Sequence, residues 1–517
     1  MRNTASAVGL RTNFAIVFIA AYASSISVNW PFNAFFLNGA SLWWLQITAQ
    51  AALVFSATQC RSSRQAGIVG IVFSSTWLSA TFWWLFIAMH NYAGLPMVVA
   101  AAAVALLAAA LGLYYAAAMI GYWHLRQRSP RFASVLFAAM WTLAELARGT
   151  WFTGFGWGAT GYAHLSGPLA FYIPVVGVYG ITALAAWMAA LISSWCRGGE
   201  QAVWQPVVAA ALLALGAWAP ATLQNWTQPT GTLTVSLLQG NIPQDEKFEI
   251  GTGVGKAMQW YAEQLHASNG SLVVLPETAI PLLPQQLPIG YWEALQHSTL
   301  AKDQAALIGI PLGSYQQGYA NSVLGLHSTQ SEVWQYDKHH LVPFGEFIPP
   351  FFKWFTQMMN IPLGDFNRGG LGQASFEWKG QRIAPNICYE DLFGEELGAR
   401  FVDPAQAPTL FANVSNLGWF GDSIAIDQHL NISRMRALEF QRPFVRATNT
   451  GATAIIDHEG RVTAALPRMT AGVLNGEVQG RIGLTPYARW VSRVGLWPLW
   501  IAALTIVALA LRTKPGK

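Results

Sequence analysis

The sequence predicts two architectures in one chain: an α-helical membrane domain of about eight transmembrane helices, and an α/β sandwich domain outside the membrane. Three observations predict it. Only 11% of the 517 residues are charged and 53% are hydrophobic, against about 25% charged in ordinary soluble domains. The charge is unevenly placed: residues 1–230 hold nine arginines, no lysine and two acidic residues, Glu145 and Glu200. The later part of the chain alternates short apolar strand-like runs with helical stretches. The expected limits are 1–225 for the membrane domain, 228–485 for the outer domain, and 490–517 for a last helix with a basic tail.

Seven apolar segments precede residue 225, at 13–35, 41–58, 66–89, 92–122, 131–149, 168–195 and 204–222. An eighth covers 494–511. Each is near or above the roughly 20 residues that a helix needs to cross about 30 Å of hydrocarbon. Asn29-Trp30-Pro31 interrupts the first. No small-residue cleavage site follows it, so it is read as a helix and not as a signal peptide.

The arginines orient these helices. Arg2, Arg11, Arg61, Arg64, Arg126, Arg128, Arg131 and Arg197 fall before the first segment or in every second loop, and Arg512, Lys514 and Lys517 follow the last. By the positive-inside rule both termini are cytoplasmic and the 228–485 domain lies outside. The net charge of +5 and the pI near 9.1 have the same source, so they do not point to nucleic acid. Glu145 and Arg148, three apart on a helix, share a face. They form an ion pair, or Arg148 meets a phospholipid headgroup.

In the outer domain, strands are expected at 232–238, 271–275, 305–310, 382–388, 408–414, 444–448 and 453–456, with helices at 251–268, 290–300 and 424–441. Glu277, Lys338 and Cys388 each follow a strand-like run. An acid, an amine and a thiol at such ends can converge on one edge of a sheet, where α/β sites form. Of three cysteines, Cys60 and Cys196 belong to the cytoplasmic side, leaving Cys388 alone outside. It is a candidate nucleophile or a small buried hydrophobe. A carboxylate can take a thiol proton, and an ammonium can hold the oxyanion of a tetrahedral intermediate. The ten histidines show no metal-ligand spacing and no Gly-rich phosphate loop is present, so no metal or cofactor is expected.

Leu275-Pro276-Glu277, Tyr336-Asp337-Lys338-His339-His340-Leu341-Val342-Pro343-Phe344-Gly345-Glu346 and Asn386-Ile387-Cys388-Tyr389-Glu390 resemble the three signature blocks of the nitrilase superfamily. With the membrane segments, and with Glu145-Leu146-Ala147-Arg148-Gly149, the chain more specifically resembles the bacterial apolipoprotein N-acyltransferases. The resemblance implies an αββα sandwich with Glu277 as general base, Lys338 as oxyanion-stabilising cation and Cys388 as nucleophile. It implies further that the Tyr389 N–H helps form the oxyanion hole, that Glu346 and Glu390 support the site, and that Trp419 and Phe420 cover it. The implied partners are a phospholipid acyl donor, a diacylglyceryl apolipoprotein acceptor and the lipid bilayer. The implied location is the bacterial inner membrane, with the catalytic domain periplasmic, and a monomer is expected. Three departures are visible: Leu417-Gly418 where Asp-Ala is common, Phe248 for Trp, and Gly156 for Pro.

The stretch 344–359 is rich in Phe, Trp and Met, including Phe351 and Phe352. Either it packs on the domain core, or it faces the bilayer and contacts acyl chains. The second reading suits lipid substrates. The competing function is a membrane-tethered amidase or nitrilase acting on small amides, which needs no lipid-facing loop. A transporter with an outer binding domain is a third class. It would usually show charged or broken helices at mid-bilayer, whereas the segments at 41–58, 66–89, 92–122, 168–195 and 204–222 hold no charged residue.

Overall fold

The computed structural model describes residues 10–28, 41–198, 202–219, 223, 225–249, 251–327, 333–349 and 366–513. The chain divides into two units. The first comprises 1–86, 96–224 and 496–517, and the second comprises 87–95 and 225–495.

The first unit is helical. Its main helices are Leu10–Val28, Trp43–Gln59, Ser63–Thr81, Met97–Leu125, Ala133–Thr150, Ile173–Cys196, Trp204–Trp218 and Trp497–Arg512, so each apolar segment of the sequence carries a helix. Fewer meet the length and hydropathy needed to cross a membrane. Among the described residues three do so outright, Arg11–Val28, Met97–Leu125 and Pro168–Cys196, and up to five if each of two bent pairs counts as one span. The expectation of eight exceeds this. The helix Trp43–Gln59 has 17 residues, and Glu145 and Arg148 lower the hydropathy of Ala133–Thr150. Asn29-Trp30-Pro31 lies outside the described residues.

Small residues let two of these helices touch. A Cβ on Gly70 would stand 3.0 Å from the Tyr115 carbonyl oxygen, and one on Gly112 would stand 2.8 Å from Ser75 Oγ. Close backbone approach of this kind drives helix packing where lipid removes the hydrophobic incentive.

Glu145 and Arg148 are fully buried and paired at 2.8 Å. Arg148 also donates to Tyr115 Oη at 2.9 Å and to the carbonyls of Phe155 and Trp157 at 2.7 and 2.8 Å. Glu145 accepts from Thr160 N and Oγ1. The ion pair is therefore the arrangement formed, and the guanidinium ties down the irregular turns after its own helix. It has no exposed donor to offer a headgroup.

Among its described residues the second unit holds two six-stranded sheets. Its strands are β1 (Thr227–Gln239), β2 (Leu272–Val274), β3 (Ala305–Ser314), β4 (Gly318–His327), β5 (Trp334–Asp337), β6 (Phe376–Trp378), β7 (Gln381–Ile387), β8 (Leu410–Ser415), β9 (Phe444–Thr448), β10 (Ala454–Ile456), β11 (Val462–Ala465) and β12 (Gly472–Gly483). One sheet runs β12-β1-β2-β3-β4-β5 and the other β11-β10-β9-β8-β7-β6. β1, β2 and β3 are mutually parallel, as are β7, β8 and β9. Parallel strands buried on both faces read as near-continuous apolar runs, and six of the seven strands expected from the sequence are these; the seventh, at 453–456, is β10, which pairs antiparallel.

The sheets pack face to face through Val235, Leu237, Leu272 and Val274 of one and Ile383, Ile387, Leu410 and Val414 of the other. Helices Gly253–Ala267 and Tyr291–Ala301 cover the outer face of the first sheet, burying Tyr261, Leu265 and Leu295. Helix Ala425–Phe440 covers the second, where Phe440 meets Phe411 at 5.7 Å between ring centroids. The result is the expected αββα sandwich.

Candidate active site

The carboxyl ends of two parallel strands, β2 and β7, and of the antiparallel β5 bring the chemistry together. Glu277 follows β2, Lys338 follows β5 and Cys388 follows β7. Glu277 Oε1 accepts from Lys338 Nζ at 3.4 Å and from Asn321 Nδ2 at 2.7 Å. Its Oε2 accepts from the Asn416 backbone N–H at 2.9 Å. Glu346 Oε1 accepts from Lys338 Nζ at 2.9 Å and from the same Asn321 amide at 2.8 Å, and its Oε2 from Val342 N at 2.8 Å. One ammonium and one amide thus hold two carboxylates together, all buried. Burial works to strip the Lys338 proton, but Glu346 and Glu277 outweigh it and hold the amine above its ordinary range.

Cys388 sits at the junction of β7 and a 3-10 turn, Cys388–Leu392, with φ +51°. It is partly buried and unpaired by any disulfide. Burial, and next the Glu277 carboxylate, push its thiol well above the ordinary range, while Lys338 pulls it back. A protonated thiol electrostatically coupled to a carboxylate needs a base at the moment of attack.

Glu390 joins the two halves of this arrangement. Its carboxylate accepts from Ile387 N at 2.6 Å, His339 N at 2.7 Å, His340 N at 3.2 Å and Tyr336 Oη at 2.9 Å. It therefore pins the segment after Lys338 to the turn that carries Cys388. Burial raises its pKa, against the pull of the Ile387 N–H and Lys338. The Tyr389 ring is buried, packing on Phe393 and His340 at 5.3 and 5.6 Å.

The loop 416–421 is tied from below. Asn416 Nδ2 donates to Gln244 Oε1 at 2.7 Å, Gly418 N donates to Asn416 Oδ1 at 3.3 Å, and Leu417 is fully buried. A side chain at 418 would meet Gln244 Oε1 at 3.1 Å. The Leu417-Gly418 departure therefore leaves the loop anchored. Trp419 stays 37% exposed and packs edge-on to Tyr92 at 5.8 Å. Phe420 closes the same 3-10 turn. Phe351 and Phe352 lie outside the described residues.

Several residues with no signature of their own complete the site. Asn321 is a polar position inside β4. Lys247, in the turn after β1, is buried and donates to the Glu277 carbonyl at 3.0 Å. Burial brings its amine down to about 8, with Glu277 and Cys388 opposing. Lys247 and Asn416 each have a neighbour that the sequence singled out: Lys247 directly precedes Phe248, and Asn416 neighbours the Trp419 motif.

Comparison with known proteins shows the family. Residues 15–191 match the apolipoprotein N-acyltransferase N-terminal domain, and residues 234–487 match the carbon-nitrogen hydrolase family. A protein from Verminephrobacter eiseniae named apolipoprotein N-acyltransferase is 56% identical over 500 residues, covering 92% of each chain. The chain belongs to the apolipoprotein N-acyltransferase family. Another member, from Ralstonia nicotianae, is 45% identical and covers 92% of this chain and 90% of its own. One from Bordetella bronchiseptica is 40% identical over 91% and 92%. The family resemblance carried by the three sequence blocks is thereby borne out, and with it the pairing of a helical N-terminal region and a carbon-nitrogen hydrolase domain.

Proposed function

We propose that this protein transfers an acyl chain from a membrane phospholipid, through a thioester on Cys388, to the α-amino group of the N-terminal diacylglyceryl-cysteine of apolipoproteins. The observation that carries the reading is the Glu277–Lys338–Glu346 cluster bridged by Asn321 and electrostatically coupled to a protonated Cys388.

The Cys388 sulfur attacks the ester carbonyl carbon as its proton passes to Glu277. Lys338 and the Tyr389 N–H hold the oxyanion. The intermediate collapses, the lysophospholipid oxygen takes the proton from Glu277, and a thioester remains. The acceptor amine then attacks the thioester carbonyl and gives its proton to Glu277. The sulfur leaves and takes that proton back. Splitting the transfer into two steps predicts ping-pong kinetics. Glu346 and Glu390 act as supports, Glu346 on Lys338 and Glu390 on the Cys388 turn. Trp419, Phe420 and the 344–359 stretch with Phe351 and Phe352 are the proposed lipid contacts.

In this reading the membrane domain spans 1–225 with about seven helices. The catalytic domain, 228–485, is periplasmic, and the 490–517 segment returns the chain to the cytoplasm. Both substrates then share the outer leaflet of the inner membrane, and the enzyme works as a monomer. The deciding experiment is intact-protein mass spectrometry after incubation with phospholipid. Wild type should gain one acyl mass on Cys388, released by a diacylglyceryl peptide, and Cys388→Ser should gain none. Acyl mass on the Ser variant, or none on wild type, would refute the mechanism.

A further inference from the structure

Behind the nucleophile lies a buried polar group that the proposed reaction does not use. His429, on helix Ala425–Phe440, is fully buried. Its Nε2 stands 3.1 Å from the Cys388 carbonyl oxygen and 3.2 Å from Asp391 Oδ1. Its Nδ1 stands 2.6 Å from Arg446 Nη2. Arg446 carries only donors, so Nδ1 must accept. The ring hydrogen is then on Nε2, where it is donated to the Cys388 carbonyl. Arg446 is matched in turn by Asp391 at 3.2 Å, and Asp391 also accepts from Ser433 Oγ at 2.5 Å. Arg446 pairs with Asp391 and Ser433 donates to the same carboxylate, so the Arg446–Asp391 pair stays charged and the tautomer stays fixed. From the next strand, Asn413 Nδ2 donates to the same Cys388 carbonyl at 3.3 Å.

That carbonyl is one end of a planar peptide unit whose other end is the Tyr389 N–H. A clamp on the oxygen therefore sets the direction of the N–H. It acts at a residue with φ +51°, a conformation that a non-glycine residue keeps only where its surroundings impose it.

We propose that His429, with Asn413 beside it, is a positioning residue for the oxyanion hole: its Nε2–H fixes the 388–389 peptide so that the Tyr389 N–H meets the tetrahedral oxygen. This rests on the acyl-transfer reading. Loss of the clamp weakens steps that pass through an oxyanion and spares steps that do not.

The test compares two reactions of Cys388 in the full-length protein in detergent. Acylation by phospholipid forms an oxyanion, whereas alkylation by iodoacetamide is a direct displacement and forms none. His429→Leu should slow acylation by about 10²-fold, the scale of a lost oxyanion-hole donor, and leave alkylation within about threefold. His429→Gln, which keeps an N–H donor, should restore acylation to within about tenfold of wild type. Asn413→Leu, which leaves Arg446 and Asp391 paired, should show the same split. Equal losses of both reactions in both leucine variants would mean that the nucleophile or the fold is disturbed, and would overturn the proposal. So would unchanged acylation. If wild type itself took no acyl group on Cys388, the functional reading would fall first, visibly and separately, and the clamp with it.

Discussion

Lys338→Met separates catalysis from support. The Lys338 side chain is 1% exposed and ion-paired to Glu346 at 2.9 Å and Glu277 at 3.4 Å. Removing the ammonium leaves two buried carboxylates sharing the Asn321 amide with no cation between them. Breaking a buried pair by deleting one partner costs about 3–5 kcal/mol. The loss of one oxyanion donor slows the chemistry about 10²–10³-fold. The two losses come apart in the double variant Lys338→Met, Glu346→Gln, which removes the surplus charge and keeps the volume. Thermal unfolding in detergent should show the single variant clearly destabilised and the double variant largely recovered. Thioester formation, followed by quenched mass spectrometry, should stay about 10²–10³-fold down in both. Lys338 is also the group that pulls the Cys388 thiol down, so iodoacetamide alkylation at pH 8 should slow in both variants. If the double variant regained acylation along with stability, Lys338 would be a structural counter-ion and its catalytic role would be wrong.

Three further outcomes are expected. A membrane-impermeant thiol reagent added to spheroplasts should label a cysteine placed at Gln285 and not one placed at Gln127; the reverse pattern would invert the topology and the outer-leaflet substrate with it. The Lys247 amine, brought down by burial to about 8, releases its proton in the folded state before the unfolded chain does. The unfolded state binds more protons from about pH 8 to the ordinary lysine range, so this group's contribution to stability rises with pH across that window. Lys247→Met should therefore gain most relative to wild type at pH 7 and lose that advantage by pH 10, read as the difference in unfolding temperature; a difference independent of pH would contradict the burial penalty. Arg148→Met should destabilise the helical unit by about 3–5 kcal/mol, as a buried carboxylate left alone would, and should leave the KM for phospholipid unchanged. A raised KM with unchanged stability would favour a headgroup contact.

What the sequence made legible follows from burial. β2, β7 and β8 are short and apolar, and Glu277 and Cys388 announce themselves by ending such runs. β4 and β12 were missed because Gly318, Gly325, Gly472, Gly476 and Gly480 punctuate them like turns, although they lie in a sheet. Missing β4 hid Asn321, whose partners are 44 and 25 residues away; no local pattern encodes such a bond. His429 sits on a helix whose buried face includes Gln428, Asn431, Ser433 and Arg436, so the apolar period that marks a core helix is diluted by polar residues. In the helical unit the charge pattern was plain, but helix length was not. Five glycines and Pro168 between residues 151 and 172 accompany a run of 3-10 turns, the last of which lies inside the apolar segment expected at 168–195.

The backbone at Cys388 has a consequence for how this protein can change over time. A φ of +51° suits glycine and burdens a residue with a Cβ by about 1–2 kcal/mol. Cys388→Gly should thus relax the local chain while ending the chemistry. In the proposed reaction the thiol is what position 388 gains in exchange for that strain, so local stability and reactivity pull this residue in opposite directions. A copy of the protein that no longer needed the thiol would accept glycine at 388 with its fold intact.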